Sequence, residues 1–385
     1  MSFDLKDATI FLTLAGSQAH GTAREGSDVD LRGVCIAPLE ERVSLFRSFE
    51  QHDGGLPTSL EDDVLPRLRQ HPTARRAFKA EGLDEKIECV IFDVAKFLRL
   101  LANANPSALE ILFADEDDWA LQTPAWRTLH AQRHIFLTKR VQQTFQGYAM
   151  AQLKKIRTHR AWLLDPPKQK PERSDFALPI AGGTLNRDDQ NRIEQSIADK
   201  VRSYGVDDIE MPKASRIAAG ERLESFYADV LSAEADGQVE ERMRAVATHA
   251  LSLPPEVAKA LNAEKKYRAA MKHWESYQGW KLGRNAARAK LEAEHGYDTK
   301  HAMHLIRLMR MGHEVLQSGE LRVRRDDAAE LSAIRDGALS YDALLEEATQ
   351  LQSAMQDAAF STKLPSGVDE ARVDALAFSL QTLQR

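Results

Sequence analysis

The apolar run at residues 10–14, stopped by Gly16, predicts a buried strand. After a polar loop, residues 27–34 alternate: Asp28, Asp30 and Arg32 fall on one side, Val29 and Leu31 on the other. That period of two predicts a second strand with one polar face. Residues 86–92 predict a third, in which Glu88 is the one acid inside an otherwise apolar run. Between the second and third strands, residues 38–49 read as a short helix and turn. Residues 51–85, with Gly, Pro and mixed charge, read as an excursion of loop and short helix. Past the third strand the pattern turns helical. Asp93 is placed to cap a helix at 94–101, and Asn105 to cap another whose first position is Pro106. Residues 133–164 predict a long helix that Pro166 and Pro167 end, and a linker-like loop follows to residue 184.

The second half is helical as well. Polar amphipathic helices are expected near 187–202 and 217–233, with a small acidic loop at 233–241. A basic helical stretch, 262–294, breaks at Gly296-Tyr297-Asp298 before a helix at 299–311. On that last helix Ala302, Leu305, Ile306 and Met309 mark a buried face, while Lys300, His304 and Arg307 fall on a different stripe. Residues 319–385 read as a short extended piece and two amphipathic packing helices.

Composition narrows the class. At 385 residues the chain can hold two domains, and 43% hydrophobic with 29% charged residues is the balance of a soluble globular protein. The net charge of −6 argues against a generally basic nucleic-acid coat, so such a partner needs local patches. Two stand out: eight Lys or Arg against one acid over 139–170, and fourteen against seven over 264–325. Each can be a solvated face or a seat for polyphosphate or a nucleic-acid backbone. Two cysteines, Cys35 and Cys89, offer no disulfide framework, which fits a reducing cytoplasm. No apolar run nears the ~18 residues of a membrane span and no signal peptide is evident, so a cytoplasmic protein with no membrane partner is expected.

The chemistry concentrates at residues 16–30. Two residues advance a strand by about 6.5–7 Å, so Asp28 and Asp30 stand side by side. A divalent cation such as Mg²⁺, which takes carboxylates together with substrate phosphates, is a reason to keep them there. Gly16 lets backbone N–H groups approach a phosphate, and the Ser17 hydroxyl adds a donor. Together they suggest phosphoryl transfer, although Gly-Ser can also be an ordinary turn and Asp-x-Asp an ordinary strand end.

Gly16-Ser17, Gly21-Thr22 and Ser27-Asp28-x-Asp30 resemble the signature of the DNA polymerase β-type nucleotidyltransferase superfamily. Asn105-Pro106 with Leu109-Glu110-x-Leu112-Phe113, Trp280-x-x-x-Arg284-Asn285 and residues 296–308, GYDTKHAMHLIRL, are similar to a bacterial and phage family of predicted nucleotidyltransferases. The resemblance implies an α+β fold: a small mixed sheet with helices on one side, followed by a mostly helical C-terminal domain. The expected division is a core at 1–125, with 51–85 as its excursion, and a helical domain at 126–385 closing the cleft. It implies two Mg²⁺ ions held by Asp28, Asp30 and a third carboxylate. Glu88 is the candidate for the third, its other reading being an edge-strand residue facing water. Gly16, Ser17 and Thr22 would hold the phosphates of an NTP.

Lys300, His304 and Arg307 would face the triphosphate or the acceptor; otherwise they form a basic helix surface with the histidines hydrogen-bonded inside. No cysteine or carboxylate spacing around His301 and His304 supports zinc. Glu110 reads first as a helix-face carboxylate, its other reading being a part in binding substrate. The activity implied is Mg-dependent transfer of NMP from an NTP to an acceptor hydroxyl, with an RNA or DNA end foremost. A protein acceptor (adenylylation), a second nucleotide (oligomer formation) and a non-catalytic nucleic-acid-binding protein are the alternatives.

Overall fold

The computed structural model describes residues 3–46, 48–78, 87–178, 187–205, 213–232, 246–247, 249–251, 255–284 and 286–383. Lys86, the acidic loop 233–241 and Asn285 lie outside them. Five strands, β1 (Thr9–Leu14), β2 (Val29–Cys35), β3 (Gln51–Gly55), β4 (Ile87–Asp93) and β5 (Trp119–Gln122), form one mixed sheet in the order β3-β4-β2-β1-β5. Only β2 and β4 are parallel; the other three pairs are antiparallel. All six residues of β1 are buried, because the strand lies between two neighbours and both faces of the sheet are covered.

The helices are α1 (Leu5–Ala8), α2 (Gly16–His20), α3 (Leu39–Val43), α4 (Glu61–Gln70), α5 (Val94–Ala102), α6 (Pro106–Leu112), α7 (Pro124–Ala131) and α8 (Arg140–Leu164). Then follow α9 (Arg187–Ser203), α10 (Lys213–Ser232), α11 (Pro255–Gly283), α12 (Ala286–His295), α13 (Thr299–Ser318), α14 (Ala328–Arg335), α15 (Tyr341–Ser361) and α16 (Glu370–Leu383). None of the described helices is long and apolar enough to cross a membrane.

One sheet face carries Phe11, Val34 and Phe92 into a large core with helices α5–α8 and α13–α16. The opposite face carries Leu12, Leu31, Cys89 and Ile91 onto Leu60, Val64 and Leu68 of α4 and the residue before it. Helices therefore cover both faces, not one. The excursion 51–85 supplies this second cover, together with β3 as an edge strand paired to β4. Its sequence, QHDGG, hides the strand, since an exposed edge needs no apolar alternation. The expected long helix begins later, at Arg140, after a 3₁₀ turn at Arg133–Phe136. Three helices, not two, follow residue 319.

The chain forms two compact units, residues 1–164 with 286–385, and residues 165–285. The expected boundary after residue 125 lies inside the first. In the second, Ile197, Val201, Tyr227, Ala247 and Leu251 share a small core, and Arg173 pairs with Glu264 at 3.2 Å.

Gly33 fixes how closely β1 approaches β2. A Cβ there would lie 2.3 Å from the Phe11 carbonyl oxygen and 2.6 Å from Leu12 Cδ2. The first of these is backbone and cannot swing aside. Gly33→Ala is expected to part the two strands and lower stability by about 1–3 kcal/mol, read as an earlier urea-unfolding midpoint.

Candidate active site

β1 ends at Leu14, opposite Leu31 of the antiparallel β2, and the Ala15 amide donates to the Asp30 carbonyl at 2.8 Å. The chain then enters α2, whose C-terminus is the left-handed Gly21. The Gly-Ser bend is thus the first turn of a short helix. Gly16 has φ +59°, and a Cβ on it would stand 2.4 Å from Asp30 Oδ2. The Asp30 carboxylate therefore lies over bare glycine backbone. On β4, Glu88 is the register partner of Asp30, so the two side chains leave the sheet on the same face at neighbouring positions. Asp28 is exposed just before β2 begins, and Glu88 is exposed as well. Asp30 is half-buried, with Arg32 Nη2 3.8 Å from its Oδ1.

These three carboxylates offer the all-oxygen donor set that a hard divalent cation takes, with open water on two of them to complete its shell. That donor chemistry would suit magnesium. The ligand atoms of the three do not all come within 4.8 Å of one another. Among the described residues, three metal-binding side chains come within 4.8 Å of one another at His159, Asp298 and His301 instead.

Beside Asp30 opens a cavity of about 190 Å³, lined among others by Gly16, Arg32, His20, Glu110, His304 and Arg307. Pockets for whole ligands run to about 300–1,000 Å³, so this one is too small to enclose a whole drug-sized ligand. Of the predicted phosphate-facing residues, Gly16, His304 and Arg307 line it. Ser17 follows Gly16 on α2 but is not in the wall. Thr22 is buried behind α2, its hydroxyl without a hydrogen-bond partner among the described residues. Lys300, near the start of α13, is exposed and stands outside the cavity.

Arg307 is engaged. Its guanidinium donates to Glu110 of α6, and Nη1 donates to His20 Nε2 at 2.9 Å. Burial would raise the Glu110 carboxyl, but the Arg307 guanidinium overcomes it and holds the acid well below the usual carboxylate range. His20, pulled down first by burial and then by Arg307, presents a lone pair to the guanidinium. His304 is also driven well down, by burial first and then by Arg307 and Lys300. His20 was not expected here, and the sequence reads Glu110 first as a helix-face carboxylate, with substrate binding as its other reading. Glu110 lies 197 residues from Arg307, and only the fold joins them; the one sequence signal was its place in the Asn105-Pro106 motif.

Residues 5–163 match the model of the RlaP family, described as RNA repair pathway DNA polymerase beta family. The matched segment holds all five strands and both aspartates, and the match agrees with the polymerase β-type resemblance of the N-terminal motifs. That family points to a nucleotidyltransferase. No curated protein and no solved structure matches the chain.

The buried histidines make stability depend on pH. His20 and His304 both sit below the ordinary 6.5, so as pH falls past that value the unfolded chain takes up protons the folded one refuses. Their contribution is complete above the unfolded-state value and is lost as the pH drops below it. The urea midpoint is expected to fall between about pH 7.5 and about pH 5, and to fall less in His304→Gln. An equal fall in both proteins would remove His304 from the account.

Proposed function

We propose that the chain is a Mg²⁺-dependent nucleotidyltransferase that moves a nucleoside monophosphate from an NTP to the hydroxyl of a nucleic-acid end, foremost RNA. The observation that carries the reading is the pairing of Asp30 with Glu88 in register, beside a glycine over which the Asp30 carboxylate lies. Two ions held by Asp28, Asp30 and Glu88 would neutralise charge developing on the transferred phosphoryl group. The residues of the chain do the rest. Gly16 clears the approach to Asp30, and Ser17 and backbone amides of the turn serve the β- and γ-phosphates. Glu88, on the solvent side, is placed to take the acceptor proton. The core at 1–125 carries the acids, and the helical part contributes His304 and Arg307 as another wall of the cavity. His304, neutral, offers a hydrogen bond rather than a charge, and Arg307 keeps that wall rigid through Glu110.

The nucleic-acid acceptor is supported by the words RNA repair in the family description and by the basic stretch at 139–170. Lys154, Lys155 and Arg157 of α8 are exposed there. Such a patch binds backbone phosphates with steep salt dependence.

Incubation with α-labelled NTPs and RNA is the test. Label should reach the RNA only with Mg²⁺ present, and Asp28→Ala/Asp30→Ala should abolish it; transfer that survives the double substitution refutes the mechanism. Gly16→Ala should cut transfer by about 100-fold by displacing Asp30, while costing about 1–2 kcal/mol of stability at its left-handed backbone. Label found on protein, or on a second nucleotide with RNA ignored, would overturn the acceptor and keep the chemistry.

A further inference from the structure

The tightest cluster of metal-binding side chains among the described residues lies away from the acidic trio, where α8 meets the start of α13. His159 comes from α8; Asp298 caps α13, its side chain accepting from the His301 amide at 3.1 Å; His301 lies one turn in. One donor atom from each falls within 4.8 Å of the others. Asp298 is fully buried, whereas both imidazoles keep some contact with solvent.

Hydrogen bonding fixes which atoms face inward. His301 Nδ1 lies 2.8 Å from Gln152 Oε1. The amide oxygen can only accept, so Nδ1 carries the proton and Nε2 carries a lone pair. That lone pair is 3.6 Å from Asp298 Oδ2, another acceptor, and two acceptors so placed favour a cation between them. On the other side His159 Nδ1 is 2.9 Å from the same oxygen. Bonds of about 2.0–2.2 Å to a tetrahedral zinc ion set donor-to-donor edges of about 3.3–3.6 Å; the His301 separation matches that edge, and the His159 one is the shorter contact of a hydrogen bond. Gln152 holds His301 as outer-shell partners hold metal-bound imidazoles. Arg288 donates to Asp298 Oδ2 and pairs with Glu292. It uses one lone pair of that oxygen and leaves a second for a metal.

We propose that His159, Asp298 and His301 form a zinc-class transition-metal site, with solvent in the fourth position, that clasps α8 to the N-terminus of α13. On binding, His159 exchanges its hydrogen bond to Asp298 for a bond to the ion, its ring proton moving to Nε2. The site holds the start of the helix that carries His304 and Arg307, and it stands independently of the activity proposed for the acidic trio.

The test uses the full chain stripped with a chelator, then titrated with Zn²⁺ against a chromogenic competitor and with Co²⁺ as a spectroscopic stand-in. Wild type should bind about one Zn²⁺ tightly, with a higher melting temperature, and Co²⁺ should give the intense visible bands of a four-coordinate nitrogen and oxygen site. His159→Ala/His301→Ala should weaken Zn²⁺ by more than about 100-fold, and Gln152→Leu by about 10–100-fold. Asp28→Ala/Asp30→Ala should bind Zn²⁺ as wild type does, which separates this site from the acidic one. Failure of wild type to bind Zn²⁺ or to give the Co²⁺ bands overturns the site, as does undiminished binding in the double histidine variant. If that variant does not fold, by circular dichroism, the wild-type Co²⁺ spectrum and Gln152→Leu decide.

Discussion

The buried pair between Arg307 and Glu110 is the contact on which the cavity depends. It ties α13, in the second half of the chain, to α6, which lies between β4 and β5 in chain order, and His20 of α2 adds a neutral acceptor. Withdrawing such a pair from water is costly, and the attraction repays it only when the remaining donors and acceptors are also met. Removing one partner would leave an uncompensated charge in the interior, at about 3–5 kcal/mol. The pair is therefore better understood as a device that fixes one arrangement of three distant segments than as a source of net stability. It also sets the electrostatics of the wall, because the guanidinium helps keep both neighbouring histidines neutral.

The sheet supplies the other half of the arrangement. β2 and β4 run parallel, so their N-terminal ends lie together, and β1, antiparallel to β2, ends at the same place. Asp30, Glu88 and Gly16 meet there for topological reasons. Their side of the sheet faces the helical core, yet the acids occupy the strand ends, where that cover gives way to the cavity and to solvent. A carboxylate can thus sit on a core-facing row of residues without paying the full cost of burial. The α4 segment seals the opposite face and anchors the sheet from behind.

The segment 296–308 gives successive turns of one helix separate tasks. Asp298 ends the preceding loop and caps the helix, held ionised against burial by the hydrogen bond from His159 and by Arg288. His301 turns toward α8, His304 toward the cavity, and Arg307 toward α6. Spacings of three residues walk successive side chains around and along the helix, so one short motif reaches three neighbours. The apolar face between them, with Ala302, Leu305, Ile306 and Met309 buried, keeps the helix from rotating.

By itself the sequence determined what local periodicity and capping can encode. The strands expected at 10–14, 27–34 and 86–92 were legible, as were the caps Asp93 and Asn105, the buried face of the helix from 299, and the Gly16-Ser17 and Asp28-x-Asp30 motifs. The edge strand β3 was not, because a polar exposed strand leaves no alternation to read, and β5 was too short to show one. The tertiary structure alone decided what long-range pairing supplies. It set Glu88 beside Asp30, gave Arg307 to Glu110 and His20 rather than to solvent, and left Lys300 outside the cavity. Bringing His159 from α8 to Asp298 and His301 made a metal-binding cluster where sequence spacing offered none. Hydrophobic pattern fixes which face of an element is buried, but the partner of a buried charge is chosen by where the chain's distant segments come to rest.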